Sequence, residues 1–379
     1  MALKLIVMKS MCIQSVAYML MVLFVISCNS KKPVQPPVTN VPDKTYTNPL
    51  LPTGARPWAT FYKNNYYYFQ DADDRIILWK TPDLTDLRNA PKKEIWIPND
   101  KSNAFHIWGS EMYHIDNKWY VYFAADDGNT DNHQIYVIEN SSEDPFEGEF
   151  TMKGRIKTDK ENTWGIHASV FQHKKEWYMI WSGWQTKRVE AETQCIYIAK
   201  MKNPWTLASE RVLISKPGYE WERQWINPDG SKTGYPIYVN EDPQCFYTKD
   251  KSKILIYYSA SGTWTPYYAV GMLFADVNAN LLDPASWQKS DKPVFKQNPD
   301  NQVFATGTPC FIPSPDQKEI YFLYQARSTE KEPYGSLPSR ETDTRSPRLQ
   351  KMEWDKEGFP WFGEALSEIG KITKPSGSN

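Results

Sequence analysis

A short apolar run rich in aromatic residues recurs along the chain, each time bounded by polar turn residues. The copies are NNYYYF at 64–69, NKWYVYF at 117–123, KEWYMIW at 175–181, SKILIYY at 252–258 and KEIYFLY at 318–324. Aligned on Tyr67, Tyr120, Tyr178, Leu255 and Tyr321, they lie 53, 58, 77 and 66 residues apart. Before each copy comes another strand-like run that ends in a polar turn: RPWATFYK from 56, GSEMYHID from 109, HASVFQHK from 167, EDPQCFYTKD from 241 and GTPCFIPSPD from 307. After each comes a third: RIILWK from 75, HQIYVIEN from 133, TQCIYIAK from 193, YYAVGMLFA from 267 and RLQKMEW from 348. Repeats of roughly 40–70 residues with several strands each are the pattern of a β-propeller. The expectation is an all-β chain, a five-bladed β-propeller in a single domain over 46–379. A β-sandwich with a second domain is the competing architecture. Residues 215–240 read as an insertion that overhangs one face.

Composition narrows the function. The 379 residues carry 44 Lys+Arg against 45 Asp+Glu, so no basic surface speaks for nucleic acid. Aromatics reach 15% of the chain, and their flat faces suit sugar rings as well as cores. The first 30 residues begin with the sparse positive charges Lys4 and Lys9, run apolar to Ile26 and end in V-I-S-C. This resembles a bacterial lipoprotein signal: residues 1–27 would be removed and Cys28 would take the lipid. An ordinary signal peptide or an anchor helix is the alternative. The Pro-rich stretch 28–45 reads as a tether. The expected location is outside the cytoplasm, lipid-anchored at the outer membrane, as a monomer. Cys195, Cys245 and Cys310 sit in strand-like runs and read as buried free thiols, with one disulfide as the alternative.

In a propeller the first strand of each blade lines the axis. The five entries contain Arg56, Glu111, His167, Glu241 and Thr308, so ionisable groups converge where a site would form. Trp58, Trp108, Trp164 and Trp264 flank them, as sugar platforms or as core. His114, His133 and His173 read as solvated. Asp126-Asp127-Gly128 lacks full calcium-loop spacing and reads as a solvated turn.

Several segments, in order, resemble family 43 glycoside hydrolases. They are TNPLLPTGARPW at 47–58, KWYVYFAADDGNTDNH at 118–133, GIHASVFQHKKEWYMIWSGW at 165–184 and NPWTL at 203–207. They continue with YVNEDPQ at 238–244, YYSASGTWTPYY at 257–268 and RLQKMEWDKEGFPWFG at 348–363. The resemblance implies a five-bladed enzyme that inverts the anomeric centre of arabinofuranosides, xylosides or related linkages. It implies an Asp base in a G-x-D-P-W turn, a second Asp in an I-D-x-x-x-F strand and a Glu acid in V-N-E-x-P. Here Glu241 matches the acid. Arg56 stands at the base position and His167 at the second Asp. Thr308 replaces a His near an axial metal or water, and Gln325 replaces another. No cofactor or metal is therefore expected, and an axial calcium is doubtful at Thr308.

An Arg cannot accept a proton at neutral pH. One outcome is a catalytically inactive propeller that binds oligo- or polysaccharide for an uptake system. Another is an altered hydrolase with Glu241, His167 and Glu111 as catalytic groups, and with Arg56, Trp58, Trp108, Arg223, Asp242 and Trp264 holding substrate. In that case Arg56 and Arg223 would grip an anionic sugar. Lyase chemistry is a further option. Arg56 could instead close the axis by pairing with Glu241 or Glu111.

Overall fold

The computed structural model describes residues 44–186, 192–224, 237–330 and 343–378. The expected signal and lipid-bearing Cys28, nearly all of the tether and residues 225–236 of the insertion fall outside the described residues. All the strands belong to one unit, Asp43–Asn379.

Five four-stranded blades follow one another along the chain. Blade I is Trp58–Tyr62, Asn65–Phe69, Ile76–Thr81 and Lys92–Trp96; blade II is Phe105–Ile115, Lys118–Asp126, Gln134–Asn140 and Thr151–Arg155. Blade III is Gly165–His173, Glu176–Gly183, Glu192–Asn203 and Val212–Ser215; blade IV is Ile237–Tyr247, Lys253–Ala260, Ala269–Asp276 and Gln288–Lys289. Blade V is Phe304–Pro313, Ile320–Arg327, Ser346–Trp354 and Pro360–Trp361. The three runs per repeat expected from sequence are the first three strands of each blade. The fourth strands are short and carry no strong apolar pattern, which is why the sequence did not announce them. A short parallel pairing of Glu192–Gln194 with Ile237–Val239 ties blade III to blade IV.

Second strands are buried on both sides because each blade is sandwiched by its neighbours. That is where the aromatic residues go. Fully buried Phe322 has ring centres 5.0 Å from Phe295, 5.9 Å from Phe311 and 4.4 Å from Phe362. Burying one such ring is worth about 1.5–3 kcal/mol. Three first-to-second-strand turns have two central residues at positive φ: Lys63/Asn64, Asp116/Asn117 and Lys174/Lys175. This is the type I′ hairpin, whose twist matches that of the strands. Thr45–Tyr46 pairs with Ile372–Thr373, and Asn48 exchanges hydrogen bonds with the backbone of Leu349 in blade V. Segments from the two sides of the blade series thus meet at blade V. The three thiols Cys195, Cys245 and Cys310 are free.

The axis is set by a repeated irregularity. In every blade one residue at the mouth of the first strand has positive φ: Arg56 (49°), Gly109 (61°), His167 (52°), Asp242 (52°) and Thr308 (57°). In blades II to V the pairing register shifts at this point. Such bulges turn a side chain out of the sheet, here toward the channel. Four of the five are not glycine, and left-handed backbone at such residues costs of order 1–3 kcal/mol each. Gly109 cannot be replaced cheaply, because a Cβ there would lie 2.5 Å from His167 Cδ2.

This ring corrects the expected entries. Blade II contributes Gly109, and Glu111 lies two residues further down the strand. Blade IV contributes Asp242, with Glu241 just before it.

Candidate active site

The ring brings Arg56, His167, Glu241, Asp242 and Thr308 together, with two residues the sequence did not single out. One is Asp71. Its backbone N–H donates to Ala55 O at 3.0 Å, which extends the blade I pairing past Phe69. That puts its side chain beside Arg56 Nη1, with which it forms an ion pair, and its other oxygen accepts from Gly109 N at 2.9 Å. Arg56 therefore pairs with Asp71, not with Glu241 or Glu111. Removing one partner of such a buried pair costs about 3–5 kcal/mol. Arg56 N–H donates to Gln325 Oε1 at 2.8 Å, so Gln325 orients the Arg56 turn.

The second residue is Tyr268. Its hydroxyl lies 2.7 Å from Glu241 Oε1 and 2.6 Å from Asp242 Oδ2. A phenol has one proton to give, so one of these two contacts needs a proton from the carboxyl side. Electrostatics puts it on Glu241. Burial, and then the Asp242 charge, hold Glu241 above the ordinary carboxylate range against the pull of His167 and Arg56. Burial would raise Asp242 too, but His167, Arg56 and Tyr268 together outweigh it and Asp242 stays low. His167 Nδ1 lies 2.8 Å from Asp242 Oδ1 and 3.6 Å from Glu241 Oε2. Neither contact has hydrogen-bond alignment. Thr308 Oγ1 donates to Asp242 Oδ2 at 3.1 Å.

Glu111 lies at a different level. It accepts from Tyr113 and Gln244, each at 2.5 Å, and burial pushes it up to about 8 despite those donors. It is a neutral acid at pH 7.

The aromatic candidates divide. Trp58 is core, 5.4 Å from the Tyr113 ring. Trp164 is buried and stacks on Trp184 at 4.8 Å. Trp108 has His133 stacked at 4.4 Å and the Arg56 guanidinium at 4.8 Å. Two groups that close cannot share one face, so both faces of Trp108 are covered and only its edge meets the channel. Trp264 is half-buried on a loop held by Arg327, which donates to its carbonyl at 3.2 Å. Arg223 lies away from the ring; its Nε donates to Tyr219 O at 3.3 Å and its guanidinium lies 5.9 Å from the Tyr238 ring. Three expected solvated groups are buried instead. His133 packs under Trp108, His173 bridges blades III and IV through Tyr247 and Val277, and Asp126 lies against His106. The partners of His173 come from another blade, and those of His133 and Asp126 include the first-strand residues His106 and Trp108 of their own blade, which local polarity does not reveal.

His167, Glu241 and Asp242 offer ligand atoms within 4.8 Å of one another. Calcium takes six to eight oxygens. Here only two carboxylates are at hand, already accepting from Tyr268 and Thr308, so the set does not fit calcium.

The model of the glycosyl hydrolases family 43 matches residues 46–360. The chain belongs to this family. It is 34% identical over 334 residues to an extracellular exo-α-(1→5)-L-arabinofuranosidase of Streptomyces avermitilis, a match over 86% of this chain and 65% of that one. It is 35% identical over 287 residues to a protein of the same name from Streptomyces chartreusis, covering 74% and 82%. The chain thus spans just under two thirds of the first relative's length. Among solved structures, an α-L-arabinofuranosidase from Lactobacillus brevis superposes with TM-score 0.76 at 30% identity, over 86% of this chain and 98% of that one. The five-bladed propeller found here is the family 43 glycosidase fold.

The ring yields a test. Asp242→Asn removes a negative charge that raises Glu241, so Glu241 should titrate lower, by about one pH unit or more. Carboxyl carbon NMR, assigned with Glu241→Gln, measures this; an unmoved Glu241 would show that Asp242 does not control its proton.

Proposed function

We propose that the chain hydrolyses α-L-arabinofuranosyl linkages in an oligo- or polysaccharide, with Glu241 as proton donor in an altered active site. The observation that carries this is the Tyr268 hydroxyl shared by two carboxyls, which calls for a proton on Glu241. A general acid must be protonated at working pH, and a raised carboxyl meets that need. The names of the relatives, at 34% and 35% identity, support the sugar. The resemblance supports V-N-E-D-P as the acid turn. His167 holds Asp242 ionised and so keeps the proton on its neighbour, which makes it a positioning residue. Glu111, two residues below the ring and neutral, supports the wall from beneath.

For substrate, the Trp108 edge, the half-buried Trp264 and the Arg223 turn beside the insertion are the candidate contacts. Arg56 spends its charge on Asp71, which argues against it as the cation for an anionic sugar. A second reading has one observation in its favour: Arg56, which the resemblance sets at the base position, is neutralised by Asp71, as in a propeller that binds glycan without cutting it.

Glu241→Gln keeps the shape and removes the proton. Turnover of an unactivated arabino-oligosaccharide should fall roughly 10²–10⁴-fold, that of a nitrophenyl furanoside less, and binding should survive. Unchanged hydrolysis would sink the acid role. Wild-type binding without release of sugar would establish the second reading.

We also propose export and lipid attachment at Cys28, in line with the extracellular relatives. Cys28→Ser should move the protein from the membrane fraction to the soluble one. Retention in the membrane would refute the anchor.

A further inference from the structure

Hydrolysis by inversion needs a second carboxylate to take a proton from water. Arg56 cannot do this. We propose that Asp71 is that base: the carboxylate has moved from the mouth of the first strand to the end of the second, within the same blade. The proposal rests on the hydrolase reading above.

Elimination among the described residues points to it. Glu241 holds the donated proton. Asp242 already faces Tyr268, Thr308 and His167 and stands beside the acid. Glu111 is neutral at pH 7 and has both oxygens engaged. Asp343 is taken up bidentately by Arg345. Asp71 is left. A carboxylate has about four acceptor sites, and the structure gives Asp71 two donors, Arg56 and Gly109 N–H. Its side chain keeps 8% exposure, close to the 7% of Glu241, so both meet the channel through a small opening.

Position supports the role. Asp71 joins blade I to blade II, whereas Glu241 is in blade IV. The Arg56 guanidinium pairs with Asp71 and also feels the charges of Asp242 and Glu241, so all of these groups share one electrostatic neighbourhood. Burial raises Asp71 above the ordinary carboxylate range, which strengthens it as a base, and the Arg56 charge opposes part of that rise.

In the step, Asp71 takes a proton from a water whose oxygen bonds to the anomeric carbon. The bond from that carbon to the leaving oxygen breaks, and the leaving oxygen takes the Glu241 proton. Both carboxyls then re-equilibrate with solvent.

The test is chemical rescue. Asp71→Ala should lower kcat on nitrophenyl α-L-arabinofuranoside about 10²–10⁴-fold with little change in glycan binding. Added azide should restore part of the rate and yield the glycosyl azide of inverted configuration by NMR. A purely structural residue gives no such product. Wild-type kcat in Asp71→Asn, or lost kcat with no azide product from a folded variant, overturns the proposal alone. Wild-type inactivity on every arabinofuranoside overturns the hydrolase reading first, and this with it. If the Asp71 variants do not fold, Arg56→Met carries the test. Losing the cation should move the acid limb of kcat/KM to higher pH by about one pH unit, and a fixed limb overturns the assignment.

Discussion

The site depends on one constraint: five strand entries bend the same way and crowd charged side chains into a narrow axis. Buried charges must be paired. Arg56 with Asp71, and His167 with Asp242, satisfy that need around the ring. Tyr268 then sits between two carboxyls with one proton to give. The pairing on either side of it decides which carboxyl stays neutral. Altering any of these partners changes the protonation of the others, so the ring acts as a unit.

The fold was legible because propeller strands are repetitive and carry their signal locally. An aromatic run, a polar turn and a second apolar run recur wherever a blade begins. The turn that carries Glu241 stood out for the same reason, since V-N-E-D-P is contiguous. What the sequence withheld is long-range. Asp71 lies in the polar stretch after Phe69, where nothing local separates it from the Asp residues beside it. Tyr268 is one of many tyrosines until the blade IV loop folds over the axis. Glu111 was set at the ring because W-G-S-E looks like an entry turn, but the bulge falls on Gly109 and leaves Glu111 further down. His133 and Asp126 read as polar turn residues, and they are buried by packing, His133 against Trp108 and Asp126 against His106 and His133.

The ring is also compatible with the replacements that the resemblance implies at Arg56 and His167. Exchanging an Asp for Arg56 would leave a buried cation unless a carboxylate stood nearby, and Asp71 does. Exchanging a second Asp for His167 would leave a buried imidazole, and Asp242 faces it. Charge is thus redistributed around the axis, and it stays balanced.

The most direct test of this account is the anomer first released. Proton NMR of the products from an α-L-arabinofuranoside, followed from the earliest turnover, distinguishes the possibilities. Two carboxylates from separate blades, one neutral and one ionised, predict β-L-arabinofuranose as the first product. Release of the α anomer would mean that a ring carboxylate attacks the sugar directly instead of through water, and binding with no sugar released would mean that the balanced charges serve recognition alone; either result contradicts the account.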